Sequence, residues 1–146
     1  MKWITRERVK VDRVACPWLI RKFIDPEAEF LFVPAAEVME QARRKAAIPF
    51  DIPPHPEAKY FHRDGKCTFE VLVEEFRLAD PAVALLARIV HGADLAGEEN
   101  ATPQSVGLKA IAEGFAEIGH DDFERLEKQF PLYDALYAWC RRQVAK

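Results

Sequence analysis

The sequence predicts an α+β fold, predominantly helical, with a small N-terminal sheet layer and a helical C-terminal half. Two short apolar runs of strand length, Phe30-Leu31-Phe32-Val33 and Ile48-Pro49-Phe50-Asp51-Ile52, fall in the N-terminal part. From Thr68 onward, apolar residues recur at helical spacing between polar or proline-headed starts and glycine stops. Composition agrees, since 49% of residues are apolar and 11% aromatic, which is globular rather than disordered. At 146 residues the chain is expected to form one domain, residues 1–146, whose core needs neither disulfide nor metal to fold.

Trp3 to Val11 reads as a charged, edge-like strand. Trp18, Leu19, Phe23 and Ile24 then follow helical spacing, and Pro26 closes the run. Proline is accepted in a first turn but not deep inside a helix. Either Asp12 caps a helix strained at Pro17, or Cys16 is the cap and Pro17 the first residue; the second is favoured. Phe30–Val33 is expected to be a central strand. Pro34 opens a helix through Val38, Met39 and Ala42 to Arg43-Arg44-Lys45, cations that suit its negative end. The Ile48–Ile52 strand contains Pro49 and belongs at an edge. Pro53, Pro54 and Pro56 make a stiff loop.

Tyr60 to Cys67 carries a hairpin signature, because Asp64-Gly65 is a preferred two-residue turn. Thr68 is expected to cap a helix that buries Phe69, Leu72, Val73 and Phe76. Asp80-Pro81 starts another, striped by Val83, Leu86 and Val90, with Gly92 as its end. Thr102-Pro103 opens the next, with Leu108, Ile111, Ala112, Phe115 and Ile118 facing in and Gly119 as stop. Asp121-Asp122-Phe123-Glu124 resembles a capping box. The last helix carries Leu132, Tyr133, Leu136, Tyr137, Trp139 and Cys140. There is no internal repeat.

The formal net charge of -3 argues against a dedicated nucleic-acid binder. No stretch approaches the ~18 apolar residues of a membrane helix, and the first residues lack the apolar core of a signal peptide. The expected location is therefore the cytoplasm, without membrane insertion. Cys16, Cys67 and Cys140 are widely spaced, so structural disulfides are not expected, and whatever function a cysteine has here is thiol or metal chemistry.

The hairpin supplies the sharpest inference about chemistry. With the turn at Asp64-Gly65, His62 lies opposite Cys67 on one face, with Cβ atoms ~4.5–5.5 Å apart. An imidazole and a thiol at that distance can share a Zn2+ or similar divalent ion, or act as a Cys–His pair. Glu70, His91 and Asp94 are further ligand candidates. The plainer alternatives are that His91 serves the helix dipole and that each cysteine is a small buried hydrophobe. A second candidate is Cys16 at a helix N-terminus with Arg13 and Arg21 near in sequence. That setting suits a thiolate or a tetrahedral oxyanion; otherwise Cys16 packs and Arg21 pairs with Asp25. Trp18, Tyr133, Tyr137 and Trp139 are expected in the core, with Cys140 buried and inert. No glycine-rich phosphate loop, dinucleotide fingerprint or nucleophile elbow is present.

Several runs, in this order, resemble the C-terminal domain of the ChrB-type chromate-resistance family. They are Val11-Asp12-Arg13-Val14-Ala15-Cys16-Pro17-Trp18-Leu19-Ile20-Arg21, Ala28 to Pro34, Ile48 to Asp51, His62 to Glu70, Ile89 to Asp94, and Leu132 to Arg141. The resemblance implies a role in chromate resistance. Longer members look like chromate-responsive regulators of an efflux transporter and carry an extra N-terminal domain; other relatives add a rhodanese-like domain. Neither is visible here, so direct DNA binding is not expected of this chain alone, while a regulator or rhodanese-like protein is a candidate partner. The family is sometimes labelled exported, whereas no export signal is visible.

Three functions follow as expectations. The leading one is an accessory or sensor domain for chromate resistance that binds a metal ion or an oxyanion such as chromate. The second is a thiol-dependent reductase or transferase using Cys16 or Cys67. The third is a transcriptional regulatory or protein-interaction module of a chromate efflux system.

Overall fold

The computed structural model describes residues 1–146. Three short strands, β1 (Lys2–Arg6), β2 (Glu29–Val33) and β3 (Ile48–Pro49), form an all-parallel sheet in the order β2-β1-β3. Trp3 lies opposite Phe30 on one side and Ile48 on the other. Parallel neighbours need crossover connections, and helices supply them here. Helix α1 (Asp12–Leu19), continued by a π-helical turn at Ile20–Ile24, joins β1 to β2; α2 (Val38–Lys45) joins β2 to β3. The class is α+β and mostly helical, as the sequence predicts.

Two strand positions are exchanged relative to expectation. β1 is central and β2 is an edge. The charges of β1 sit at its ends, Lys2 and Arg6, while Trp3, Ile4 and Thr5 between them are buried. Alternation of side chains across the sheet splits the core. Ile4 packs with Val38, Ala42, Ala47 and Ile52 beneath α2, and Trp3 joins the main core with Phe30 and Phe50.

Helix α1 begins at Asp12, so Pro17 lies inside it and Cys16 is not a cap. The N–H groups of Val14 and Ala15 both donate to the Val11 carbonyl, which winds the helix before the proline is reached. Pro17 has no N–H to return to the preceding turn. The helix holds because Val14, Ala15, Cys16, Trp18 and Leu19 are all buried. Tertiary burial thus overrides the local rule on proline.

The C-terminal half comprises α3 (Thr68–Glu75), α4 (Pro81–Asp94), α5 (Ser105–Ile118) and α6 (Asp122–Val144). Cys67, not Thr68, occupies the cap position of α3. Asp80 caps α4, accepting from Ala82 N–H at 2.8 Å, and Asp121 caps α6, accepting from Glu124 N–H at 2.8 Å. Helix α4 is the hub, packing on α1, α3, α5 and α6. It buries Val83, Leu86, Ile89, Val90 and Ala93. Trp18 stacks edge-on against Phe23 and Tyr137, and its indole N–H donates to Asp134 at 2.8 Å. Four residues assigned to the core lie at the surface instead: Phe76, Ile111, Ile118 and Trp139. No helix is long and apolar enough to cross a membrane.

Gly92 does not end α4, which runs on to Asp94. The glycine is there for space. A Cβ at this position would lie 2.3 Å from Ser105 Oγ and 3.0 Å from the Glu98 carbonyl oxygen. Ser105 is itself fixed, donating to the Ile89 carbonyl at 2.9 Å and pairing with the Thr102 hydroxyl at 2.8 Å. Gly92→Ala is therefore expected to destabilise the fold by about 1–3 kcal/mol through overpacking. Gly107→Ala in α5 meets nothing within 4 Å and gains helix propensity, so it should be neutral or stabilising by about 0.5–1 kcal/mol. Urea unfolding of the two variants checks the contrast.

Candidate metal centre

The tight turn forms as the sequence predicts. Asp64 and Gly65 have φ of 53° and 75°, both positive as a two-residue hairpin turn requires. Arg63 N–H donates to the Lys66 carbonyl at 3.2 Å, and Lys66 N–H returns the bond at 2.9 Å. The pairing stops there, at one bridge. Beyond it the strands part. Cys67 turns inward to head α3, while the His62 ring reaches across to α1. The imidazole and the thiol therefore fall into two different clusters, and the expectation that they share one ion is corrected.

His62 meets carboxylates from three elements. Its Nε2 is 3.1 Å from Asp12 Oδ2, 3.3 Å from Asp51 Oδ1 and 3.0 Å from Asp94 Oδ2. Asp12 comes from the first turn of α1, Asp51 from the loop after β3, and Asp94 from the last turn of α4. The head of α3 fixes two of them. Thr68 N–H donates to Asp12 Oδ2 at 2.7 Å, and Thr68 Oγ donates to Asp51 Oδ1 at 2.8 Å. Asp51 also adopts a left-handed backbone, φ 49°, a conformation in which a buried non-glycine residue is uncommon. Its other oxygen faces Arg6 at 3.4 Å and Arg13 at 3.5 Å. The side chains of Asp12 and Asp51 are 1% and 7% exposed and that of His62 41%, so the site has a buried acidic floor and an open mouth.

One acceptor of this group is left without a donor. One Nε2–H faces three carboxylate oxygens, and Asp12 Oδ1 is buried with no partner at all. Buried polar groups are normally satisfied, so Asp12 Oδ1 stands out as the acceptor of this group left open. Hydrogen bonds that the ring donates to Asp12, then to Asp51 and Asp94, push His62 up to about 12. Burial, then the charge of Asp94, pushes Asp12 up to about 8. Burial also raises Asp51, but the hydrogen bonds from His62 and Thr68 outweigh it and hold that carboxyl low. The spacing suits an ion as well as a proton. Ligands arranged around Zn2+ at about 2.0–2.1 Å lie about 3.3 Å from one another.

A second triad lies alongside. Cys67 Sγ, a Glu70 carboxylate oxygen and a His91 ring nitrogen all lie within 4.8 Å of one another. His91 Nδ1 is 2.6 Å from Glu70 Oε1, and that oxygen also accepts from Cys67 N–H at 3.0 Å. Thus Asp94 joins His62, while Glu70 and His91 join Cys67.

Arg13, Cys16 and Arg21 are not brought together. Cys16 is fully buried inside α1, and burial, then Asp12, pushes its thiol up. Arg13 turns to Asp51, and Arg21 donates to the Ala28 carbonyl at 3.0 Å while lying over Phe30. Asp25 pairs with the chain's N-terminus and Trp3 rather than with Arg21. Cys140 is buried as expected. The site residues missed by sequence reasoning are Asp12 and Asp51. The available signal is an aspartate beside apolar residues, in Val11-Asp12 and Phe50-Asp51-Ile52.

Residues 3–140 match the family model described as ChrB, C-terminal domain. The chain is 35% identical over 139 residues to "Protein ChrB" of Cupriavidus metallidurans, covering 93% of this chain and 40% of that relative. The chain thus spans less than half the length of the curated relative it matches. No solved structure matches.

In metal-free protein, the His62 ring should stay protonated from about pH 5 to 9, where an ordinary histidine titrates near 6.5. Asp94→Asn should lower its midpoint. Ring-carbon NMR shifts report both; a wild-type His62 titrating near 6.5 would show that the carboxylates do not converge on it.

Proposed function

Because the chain belongs to the ChrB C-terminal domain family, we propose that it is an accessory or sensor domain for chromate resistance whose ligand is a divalent cation. The observation that carries the proposal is the set of three carboxylates around His62 Nε2, with Asp12 Oδ1 left unpartnered in the floor. Asp12, His62 and Asp94 would hold the ion, with Asp51 beside them. Two carboxylates and one imidazole, with a third carboxylate alongside, suit a hard to borderline ion such as Mn2+ or Zn2+.

The rest of the site supports this role. Thr68 orients two of the carboxylates from outside, as groups behind metal ligands do. Arg6 and Arg13 offset part of the acidic charge through Asp51, and so keep three buried or half-buried carboxylates compatible with folding. The ion would tie α1, the hairpin and α4 together, which gives a sensor its means of reporting occupancy. The oxyanion alternative loses its helix N-terminus, because Cys16 sits within α1. The thiol-enzyme alternative loses its nucleophile, because Cys16 and Cys67 are both buried and burial raises both thiols.

Mn2+ added to untagged, metal-free protein is expected to bind at one equivalent per chain and to raise the melting temperature. At a concentration about a hundred times Kd, the stabilisation should be about 2.7 kcal/mol. Asp12→Asn and His62→Ala should each weaken binding at least tenfold, measured by the loss of the free-ion EPR signal on titration. A wild type that takes up neither Mn2+ nor Zn2+ would refute the cation reading.

A further inference from the structure

Two sequence-adjacent residues divide between the two clusters at the head of α3. Thr68 braces the carboxylate group, while Cys67 turns its sulfur to Glu70 and His91. The same division recurs on α4, where His91 and Asp94 are three residues apart on one helix face and serve different clusters. Cys67 is fully buried, whereas the side chains of Glu70 and His91 are 23% and 17% exposed, so the triad is closed beneath and open to one side. Glu98 Oε1 stands 4.0 Å from His91 Nε2. Without an ion, the His91 Nδ1–H donates to Glu70 Oε1 at 2.6 Å; an ion would take the place of that proton between the imidazole and the carboxylate.

A further buried group lacks a partner. The Tyr133 hydroxyl is fully buried and bonds to nothing. Burial, then Asp12, pushes that hydroxyl up. Asp12 Oδ1 and Tyr133 Oη are thus both buried without partners, where a native core normally leaves few such atoms.

We infer that the Cys67–Glu70–His91 triad is a second cation site, softer than the carboxylate site and adjacent to it. One thiolate, one imidazole and one carboxylate form a set suited to Zn2+ or a similar borderline ion, with a fourth position open to solvent or ligand. Coordination would deprotonate the Cys67 thiol, which is otherwise an inert buried group. The domain would then hold two ions of unequal preference side by side. The inference shares with the proposed function the view of this region as a cation centre, but it depends on different side chains.

Co2+ titrated into the whole metal-free chain tests it. Two equivalents should bind, one of them bringing a sulfur-to-cobalt charge-transfer band in the near ultraviolet. Cys67→Ser and His91→Ala should each remove that band and one equivalent; Asp94→Asn should remove the other equivalent and keep the band. Cys16→Ser, a change to a buried thiol outside the triad, should keep both. One equivalent without the band, or a band that survives Cys67→Ser, would overturn the second site and leave the carboxylate site standing. One equivalent with the band, untouched by Asp94→Asn, would support the triad and overturn the carboxylate site. No uptake would overturn both. If Cys67→Ser fails to fold, His91→Ala, altered at a partly exposed position, supplies the same distinction.

Discussion

The contact between Asp12 and the head of α3 organises the molecule. Asp12 lies in the first turn of α1, is almost wholly buried, and accepts the Thr68 N–H at 2.7 Å. A buried carboxylate is tolerated only when other groups answer its charge. Here the answering groups are a helix-terminal amide and the imidazole of His62, drawn from segments far away in sequence. That requirement pulls α1, the hairpin and α3 to one point. Asp51 and Asp94 arrive at the same point from the loop after β3 and from α4, so the acidic group gathers where five segments meet.

The surrounding structure makes such a concentration of charge sustainable. Arg6 and Arg13 face Asp51 from β1 and α1. Thr68 orients two carboxylates at once. The apolar bulk of α4, packed on four other helices, holds Asp94 and His91 on a rigid support. Gly92 lies between them in sequence and lets α5 approach closely through Ser105. The features that position the two clusters are therefore also features of the main core, and changes to one are felt by the other.

Much of the scaffold was legible in advance because its signals are local. The Asp64-Gly65 turn needs two residues at positive φ and has them. Asp80 with Pro81, Asp121 with Glu124, and Gly119 mark helix ends through their own chemistry. The start of α1 was misread for the opposite reason. Pro17 carries a strong local signal, but burial of the residues around it outweighs the missing N–H. Gly92 is likewise a stop signal locally and a close-packing residue in three dimensions. β1 looked like an edge because its ends are charged, yet its middle is apolar and pairs on both sides.

By itself the sequence determined the α+β class, most helix boundaries, the hairpin turn, and His62, Cys67, Glu70, His91 and Asp94 as ligand candidates. Each of these rests on propensity, periodicity or residue chemistry within a few positions. Only the tertiary structure decided how those candidates are shared out, and that Asp12 and Asp51 join them. The His62–Asp12 contact joins residues 50 positions apart, and the Thr68–Asp12 contact joins residues 56 apart. Contacts of that range depend on how whole helices pack. The hairpin ladder ends after one pair, and the final direction of each side chain is set by buried charge seeking a partner across the fold.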